Sequence, residues 1–252
     1  MRHVEHAMGT VFSFDIRRPH DLGVRHLSGD VGQALGEAVA WLHRVDEIFS
    51  TYRPDSPVSR LGKGEIGLAD CPPEVADVLA LCDTAAELSH GYFTAYPGGR
   101  LDPSAMVKGW AIERASLILS RSGAVDHCVN GGGDIQLAGT AAPGRPWRVG
   151  IAHPLRPDAL ATVVAGCDLA VATSGTAERG AHILDPHTGR PATELASITL
   201  VGGSLTMTDA YATAAFAMGD AARTWVERLD GMEAFAVTAS GETWRTPGFP
   251  AA

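Results

Sequence analysis

Apolar residues recur at three- and four-residue steps along several stretches of the chain, and this spacing predicts amphipathic helices. The clearest stretch runs from Val31 to Ser50, where the apolar positions are Leu35, Val39, Leu42, Val45 and Phe49. Proline is favoured in the first turn of a helix and glycine just after its end. Pro73 and Gly91 therefore mark the start and the end of a second predicted helix. The additional predicted helices cover Pro73 to the residue before Gly91, Lys108–Arg121, Asp209–Met218 and Ala222–Leu229.

Alternation of apolar and polar side chains predicts the strands. Phe12, Phe14 and Ile16 alternate with polar residues, and His127–Gly139 is typical of a strand, a glycine-rich turn and a second strand. Further strands are expected at Trp147–Ile151, Ala161–Gly166, Ala170–Thr173, Ser197–Val201 and, as a closing hairpin, Phe235–Ala239 with Thr243–Trp244. Because strands and helices do not alternate as regular βαβ units, we predict an α+β fold. We find no internal repeat or linker and expect a single domain over residues 1–252.

Composition narrows the function classes. The chain has 252 residues, with 20 Lys and Arg against 29 Asp and Glu, and its formal net charge is −9. This acidic balance argues against a nucleic-acid-binding protein, which usually carries a basic face. Hydrophobic residues make up 45% of the chain and charged residues 19%, so a large core is expected. The 29 glycines among 252 residues are more than the average usage of about 7% would give. We expect them in turns and at positions where the backbone closely approaches another group.

The N-terminal sequence and the cysteines indicate in which cellular compartment the protein is expected. The segment MRHVEHAMGTVFSFDIR lacks the apolar core of a secretory signal, and no stretch approaches the ~20 apolar residues of a membrane span. The four cysteines are widely spaced without a C-x-x-C pattern, which argues against a zinc or redox site and fits a reducing compartment. We therefore expect a cytoplasmic protein without a membrane span.

Two predicted turns carry residues that suit cation or phosphate binding. In the run from Asp102 through Ala105 to Lys108-Gly109, such a turn can present carbonyls to a cation and N–H groups to a phosphate. On local evidence a capped helix start with a surface lysine is the commoner cause of this pattern. The run Asn130-Gly-Gly-Gly-Asp134 precedes a predicted strand, so it is no dinucleotide-binding fingerprint. It is either a tight hairpin or a ligand-facing turn.

Four further side chains are candidates for chemistry. Ser174 has no nucleophile-elbow sequence around it, so we expect its hydroxyl to bond a backbone amide in a loop. His182 is the residue type best suited to accept a proton near neutral pH, although a single histidine at a strand edge is more often structural. Asp209 and Thr213 are four residues apart, so both oxygens leave one helix face, and a carboxylate with a hydroxyl is hard-oxygen ligation that suits Mg²⁺. Local sequence alone favours a dipole-stabilised aspartate and a packed threonine.

Six segments, taken in order, resemble the ApbE family of FAD:protein FMN transferases. They extend from residue 8 to about residue 219, and their order and separations carry the resemblance. The matching segments are Met8-Gly9-Thr10; Ser50-Thr51-Tyr52-Arg53 with Asp55-Ser56 and Ser59-Arg60-Leu61; Asp102 to Lys108-Gly109; Gly131-Gly132-Gly133-Asp134 with Trp147–Ile151; Thr173-Ser174-Gly175 with His182–Pro186 and with Thr188, Gly189 and Pro191; and Asp209 to Thr213.

The resemblance implies a T-fold-like α+β enzyme that uses FAD as substrate and needs a divalent cation, Mg²⁺. Such enzymes attach FMN, through its phosphate, to a Ser or Thr of an acceptor protein and release AMP. By the family's pattern, the cation would take the backbone oxygen of Ala105 and the side chains of Asp209 and Thr213. His182 would be the base that activates the acceptor hydroxyl. The residues expected to contact FAD are Met8, Tyr52, Tyr92, Phe93, Thr94, Asp102, Lys108 and Ile183.

Other functions fit the same residues. An FAD pyrophosphatase would use water in place of the acceptor hydroxyl and would release FMN and AMP. A non-catalytic flavin-binding protein would hold FAD intact in the presence of Mg²⁺. A different α+β enzyme that matches the pattern by chance would bind no FAD, so FAD binding and FAD cleavage together separate these alternatives.

Overall fold

The structure is a computed structural model that describes residues 1–17, 27–176 and 183–252. Within those ranges the strands are β1 (Arg2–Ala7), β2 (Thr10–Ile16), β3 (His127–Gly131), β4 (Asp134–Ala138), β5 (Trp147–Ala152), β6 (Leu160–Gly166), β7 (Ala170–Gly175), β8 (Leu184–Asp185), β9 (Arg190–Pro191), β10 (Leu195–Gly202), β11 (Glu233–Thr238) and β12 (Thr243–Arg245). The α-helices are α1 (Leu27–Phe49), α2 (Pro57–Gly62), α3 (Pro73–Leu88), α4 (Ser104–Arg121), α5 (Leu205–Met218) and α6 (Ala222–Val226).

Eight of these strands form one antiparallel sheet in the order β1-β2-β3-β4-β7-β10-β11-β12. β4 and β7 are neighbours because β5 and β6, which lie between them in sequence, form a separate hairpin. Phe12 and Phe14 of β2 share one face, as strand alternation requires, and both are buried. The first predicted strand is therefore confirmed, and it pairs with β1 on one side and β3 on the other.

Helices α1, α4 and α5 cover one face of the sheet. α4 packs between α1 and α5 and crosses β3 and β4, whereas α5 lies on β7 and β10. The core between the layers includes Phe12, Leu42, Ile112 and Leu119, all fully buried. Each such side chain contributes about 1.5–3 kcal/mol by leaving water. This packing places α4 and α5 side by side above the middle of the sheet.

The β5–β6 hairpin covers part of the opposite face. Trp147, Val149 and Val164 of the hairpin pack in one cluster with Val171 of β7 and Val237 of β11. The central strand β10 is consequently buried at each of its eight positions. A strand covered on both faces loses the apolar and polar alternation that a half-exposed strand shows.

The starts of α4 and α5 differ from the sequence prediction. α4 begins at Ser104 instead of Lys108, and α5 begins at Leu205 instead of Asp209. Lys108 and Asp209 therefore each occupy the second turn of a helix. The interpretation of Asp209 as a helix-start residue favoured by the dipole was wrong, because the dipole acts mainly in the first turn.

A buried histidine links α4 to β3. Nδ1 of His127 lies 2.6 Å from the Ala124 carbonyl oxygen, and Nε2 lies 2.7 Å from the Ser116 hydroxyl. A carbonyl only accepts, so Nδ1 carries the proton and Nε2 accepts from Ser116. His127 has no exposed surface, and this burial lowers the pKa of its imidazole below the ordinary value.

We expect the stability of the fold to fall as the pH drops through the His127 titration. The unfolded imidazole has a pKa of about 6.5, so below that pH the unfolded state binds a proton that the folded state excludes. Urea unfolding of the wild type should show a lower free energy of unfolding at pH 5.5 than at pH 7.5. This difference should shrink in His127→Gln and persist in His6→Gln, a control at an exposed strand position. An equal pH dependence in all three proteins would contradict the assignment.

Candidate active site

A lysine and two aspartates from three elements converge beside the start of α4. The Lys108 ammonium forms an ion pair with Asp134 Oδ2 of β4 and lies 3.9 Å from Asp209 Oδ1 of α5. Asp134 is 1% exposed, and 28% of the Lys108 side chain remains accessible. The interpretation of Lys108 as a surface lysine on a capped helix was therefore wrong. Its charged end lies in a largely buried cluster with two carboxylates.

The β3–β4 hairpin fixes the position of Asp134. Gly132 and Gly133 form its two-residue turn, and both have positive φ angles, 60° and 95°, which glycine adopts without strain. Asp134 follows directly, and its Oδ1 accepts the Thr173 N–H of β7 at 3.0 Å. The hairpin alternative for this segment is therefore confirmed. Asp134 is a member of this cluster that the sequence analysis did not propose as a site residue, although the carboxylate after three glycines was the available signal.

Helices α4 and α5 come into backbone contact at Gly109. The Gly109 N–H donates to Asp209 Oδ2 at 2.9 Å, and a Cβ at Gly109 would lie 2.5 Å from the Leu205 carbonyl oxygen. In a regular α-helix the same N–H bonds the carbonyl four residues earlier, that of Ala105. A carbonyl oxygen has two lone pairs, so the Ala105 carbonyl can accept a further partner even where a helical N–H occupies one of them.

Thr213 lies one turn beyond Asp209 and faces the sheet. Its hydroxyl is 3.5 Å from the Ser174 hydroxyl of β7, and the neighbouring Thr173 hydroxyl is 2.8 Å from that of Thr199. The expectation that Ser174 sits in a loop and bonds an amide was wrong, since Ser174 is a buried strand residue whose hydroxyl faces another hydroxyl. The oxygens of Asp209 and Thr213 follow one another along a single side of α5.

Three of the predicted flavin contacts lie at turns or helix ends. Met8 is in the two-residue β1–β2 turn with a φ of 51°. Tyr52 follows α1 and is 95% exposed. The Asp102 carboxylate accepts the N–H of Ser104 at 3.1 Å and also its hydroxyl, while Pro103 between them occupies the N-cap position of α4. The side-chain cap that local sequence favoured at this helix is therefore absent from its N-cap position.

Tyr92, Phe93 and Thr94 follow α3. The Tyr92 ring meets His187 edge-on, with ring centroids 4.5 Å apart. The Phe93 ring is 1% exposed and packs in the core, which leaves only its main chain for a ligand. The Thr94 hydroxyl accepts the Tyr96 N–H at 3.0 Å.

Ile183 follows the second undescribed range. It packs against the main core, and its carbonyl accepts the Ala192 N–H at 3.0 Å. His182, the predicted base, lies outside the described residues.

The oxygen donors at the start of α4 and along α5 suit a hard cation. They comprise one carboxylate from Asp209, one hydroxyl from Thr213 and the main-chain oxygen of Ala105. No group of three or more His, Cys, Asp or Glu side chains in residues 1–17, 27–176 and 183–252 has the geometry to hold a metal. Across the same ranges, no helix is long and apolar enough to cross a membrane.

The chain is similar to several flavin transferases. It is 29% identical over 242 residues to the FAD:protein FMN transferase of Rhodobacter capsulatus, covering 92% of this chain and 43% of that protein. It is 29% identical over 162 residues to the enzyme of the same name from Salmonella typhimurium, covering 59% of this chain and 46% of that protein. The chain thus spans less than half the length of these curated relatives.

The fold matches a solved structure over nearly its whole length. The flavin transferase ApbE from Vibrio cholerae superposes with a TM-score of 0.80 at 20% sequence identity, covering 100% of this chain and 96% of that chain. This likeness confirms the predicted α+β fold of the ApbE type. The ApbE family model matches residues 8–98 and 94–236, which is most of the sequence. The chain therefore belongs to the ApbE family.

Proposed function

We propose that this chain is an FAD:protein FMN transferase. It would split FAD and join FMN, through its phosphate, to a Ser or Thr hydroxyl of an acceptor protein, with release of AMP. The observation that carries the proposal is the buried cluster of Lys108, Asp134 and Asp209 in a chain of this family. Transfer of a phosphoryl group from a pyrophosphate depends mainly on positioning and on charge neutralisation, which such a cluster can provide.

The residues present fit a divalent cation such as Mg²⁺. The two carboxylates of Asp134 and Asp209 against the Lys108 ammonium leave these three side chains with one net negative charge. Asp209, Thr213 and the Ala105 carbonyl would hold the cation. Mg²⁺ prefers a site in which the protein supplies only a few oxygens and substrate phosphates supply others. Bound there, Mg²⁺ would supply charge neutralisation at the pyrophosphate and at the AMP that leaves.

Lys108 and Asp134 act as a positioning pair in this proposal. The Asp134 carboxylate is held by the Thr173 N–H and by the Lys108 ammonium. A lysine tethered in this way loses little further side-chain freedom when it meets a phosphate. Part of the Lys108 side chain remains accessible, and we propose that a phosphate approaches its ammonium from that side.

The flavin and the acceptor would be held by the residues around this cluster. We propose that FAD contacts the main chain of Phe93 and the side chains of the other residues expected to bind it. Those residues are Met8, Tyr52, Tyr92, Thr94, Asp102, Lys108 and Ile183. We propose His182 as the base that takes the proton from the acceptor hydroxyl, because a hydroxyl nucleophile is weak until a base removes that proton. Its neighbour Ile183 packs on the same core as α4 and α5.

An assay with three distinct outcomes tests the proposal. The acceptor is a protein found flavinylated by mass spectrometry in the native host, and its control is the same protein with the modified Ser or Thr changed to Ala. We expect in-gel flavin fluorescence on the acceptor alone, one AMP released per flavin attached, and loss of both when EDTA removes the cation. Free FMN without labelled acceptor would support a pyrophosphatase instead. FAD that stays intact for hours would support a flavin-binding protein.

We also propose a cytoplasmic location. All four cysteines are free thiols, as a reducing compartment favours. Burial raises the pKa of Cys82 and of Cys128 to about 12, so both stay protonated at neutral pH.

A further inference from the structure

The first turn of α5 is capped by a residue of another helix. Ser204 stands at the N-cap position, but its hydroxyl makes no capping bond within α5. It donates to Glu113 Oε2 of α4 at 2.7 Å. The same carboxylate oxygen accepts the Thr206 N–H at 2.8 Å and the Thr206 hydroxyl at 2.6 Å. Glu113 therefore takes the role that a local Ser, Thr or Asp side chain usually has at a helix start.

A carboxylate is well suited to this position. The first N–H groups of a helix lack partners within the helix, and the positive end of the helix dipole favours a negative charge. The neighbouring Leu205 N–H donates to Gln136 Oε1 of β4 at 3.1 Å. Two amides at the start of α5 are thus bonded by side chains from α4 and β4.

Glu113 and Gly109 bind α5 at two successive levels. On α4 they are four residues apart, close to one turn, while their partners Thr206 and Asp209 are three residues apart on α5. The later residue of α4, Glu113, contacts the earlier residue of α5, Thr206, so the two helices are antiparallel at this contact. Two contacts at different heights fix both the axial position and the rotation of α5. A slip of α5 by one residue is a shift of about 1.5 Å with a turn of about 100°, which would break the bond between the Gly109 N–H and Asp209.

We infer that Glu113 is a positioning residue that fixes the start of α5 against α4 and thereby holds Asp209 beside Lys108 and the Gly109 N–H for cation binding. The inference rests on the proposed function for the cation site and adds a residue outside the predicted site set. Glu113 acts through α5, since the carboxylate oxygen that contacts α5 is occupied by Ser204 and Thr206. Groups that orient metal ligands in this way typically contribute 10–100-fold to metal affinity.

The test measures cation and flavin binding separately in the folded protein. Mn²⁺, a paramagnetic substitute for Mg²⁺, is titrated by electron paramagnetic resonance, and FAD binding without metal is followed by flavin fluorescence. We expect Glu113→Ala to weaken Mn²⁺ binding by roughly 10-fold with unchanged FAD affinity. Glu113→Gln keeps an oxygen that can accept from Thr206 and should restore most of the Mn²⁺ affinity. The matched control is Glu74→Ala, which removes another interhelical carboxylate contact, a 2.7 Å bond from Arg44, and should leave Mn²⁺ binding unchanged.

Each outcome decides the inference. Equal Mn²⁺ affinity in Glu113→Ala and the wild type would overturn it, as would parallel losses of Mn²⁺ and FAD binding that Gln does not restore. If Glu113→Ala fails to fold by circular dichroism, Thr206→Val removes one of the three donors with little change in shape and should weaken Mn²⁺ binding in the same direction. Wild-type Mn²⁺ binding that survives Asp209→Asn would overturn the proposed cation site and this inference with it.

Discussion

Replacing Asp209 by Asn is expected to reduce Mg²⁺-dependent FMN transfer by at least about 100-fold, because it removes the single charge among the proposed cation ligands. Metal polarisation is worth several kcal/mol in such reactions, and each 1.36 kcal/mol is tenfold in rate. Asparagine preserves the shape of the side chain and an oxygen for the Gly109 N–H, which donates to Asp209 at 2.9 Å. The loss should therefore be in cation use, with the fold intact.

The measurement is the initial transfer rate as a function of Mg²⁺ concentration, together with FAD affinity and the midpoint of thermal unfolding. Asp220→Asn is the matched control, because Asp220 is an exposed carboxylate just beyond the end of α5. It should show the wild-type Mg²⁺ curve. An Asp209→Asn protein with that same curve would remove Asp209 from the cation site.

The sequence predicts those elements whose apolar faces are set locally. α1 is recognisable because Leu42 and Val45 repeat along one face, and both are fully buried. β1 was not predicted because most residues on both of its faces are polar, so apolar and polar side chains do not alternate along it. His3 and Glu5 occupy the face opposite Val4, and Glu5 bonds His43 of α1 at 3.2 Å. An edge strand with polar inward side chains carries no hydrophobic period to detect.

The beginning of α5 shows the limit of local rules more sharply. A search for a local cap places the helix start at Asp209, four residues late, because the carboxylate that caps Leu205–Met218 comes from Glu113 on α4. The same reason explains why Asp134 was missed. Its importance arises from Lys108 and Thr173, which are distant in sequence and meet it only in the folded sheet. Ordered motifs selected Lys108 and Asp209, whereas the residues that hold them in place required the tertiary contacts.

The close approach of α4 and α5 makes Gly109 the most sensitive small residue of the site. An added Cβ would lie 2.5 Å from the Leu205 carbonyl oxygen and 2.8 Å from Asp209 Cβ, so the two helices would have to separate. Two effects of Gly109→Ala oppose each other. Alanine is favoured over glycine in a helix interior by about 1 kcal/mol, whereas overpacking costs about 1–3 kcal/mol. Overpacking should win here, because one of the obstructing atoms is main chain and cannot rotate away.

Gly36→Ala in α1 isolates the first effect, because in the described part of the chain no atom outside the neighbouring backbone of α1 lies within 4 Å of a Cβ at that position. In urea unfolding we expect Gly36→Ala to raise the free energy of unfolding by up to about 1 kcal/mol and Gly109→Ala to lower it by up to about 2 kcal/mol. Gly109→Ala should also weaken Mg²⁺ binding, since separating the helices lengthens the bond between the residue 109 N–H and Asp209. Stabilisation by both substitutions would mean that α4 and α5 accommodate a methyl group without moving. The contact at Gly109 would then be too loose to hold Asp209 at the cation site.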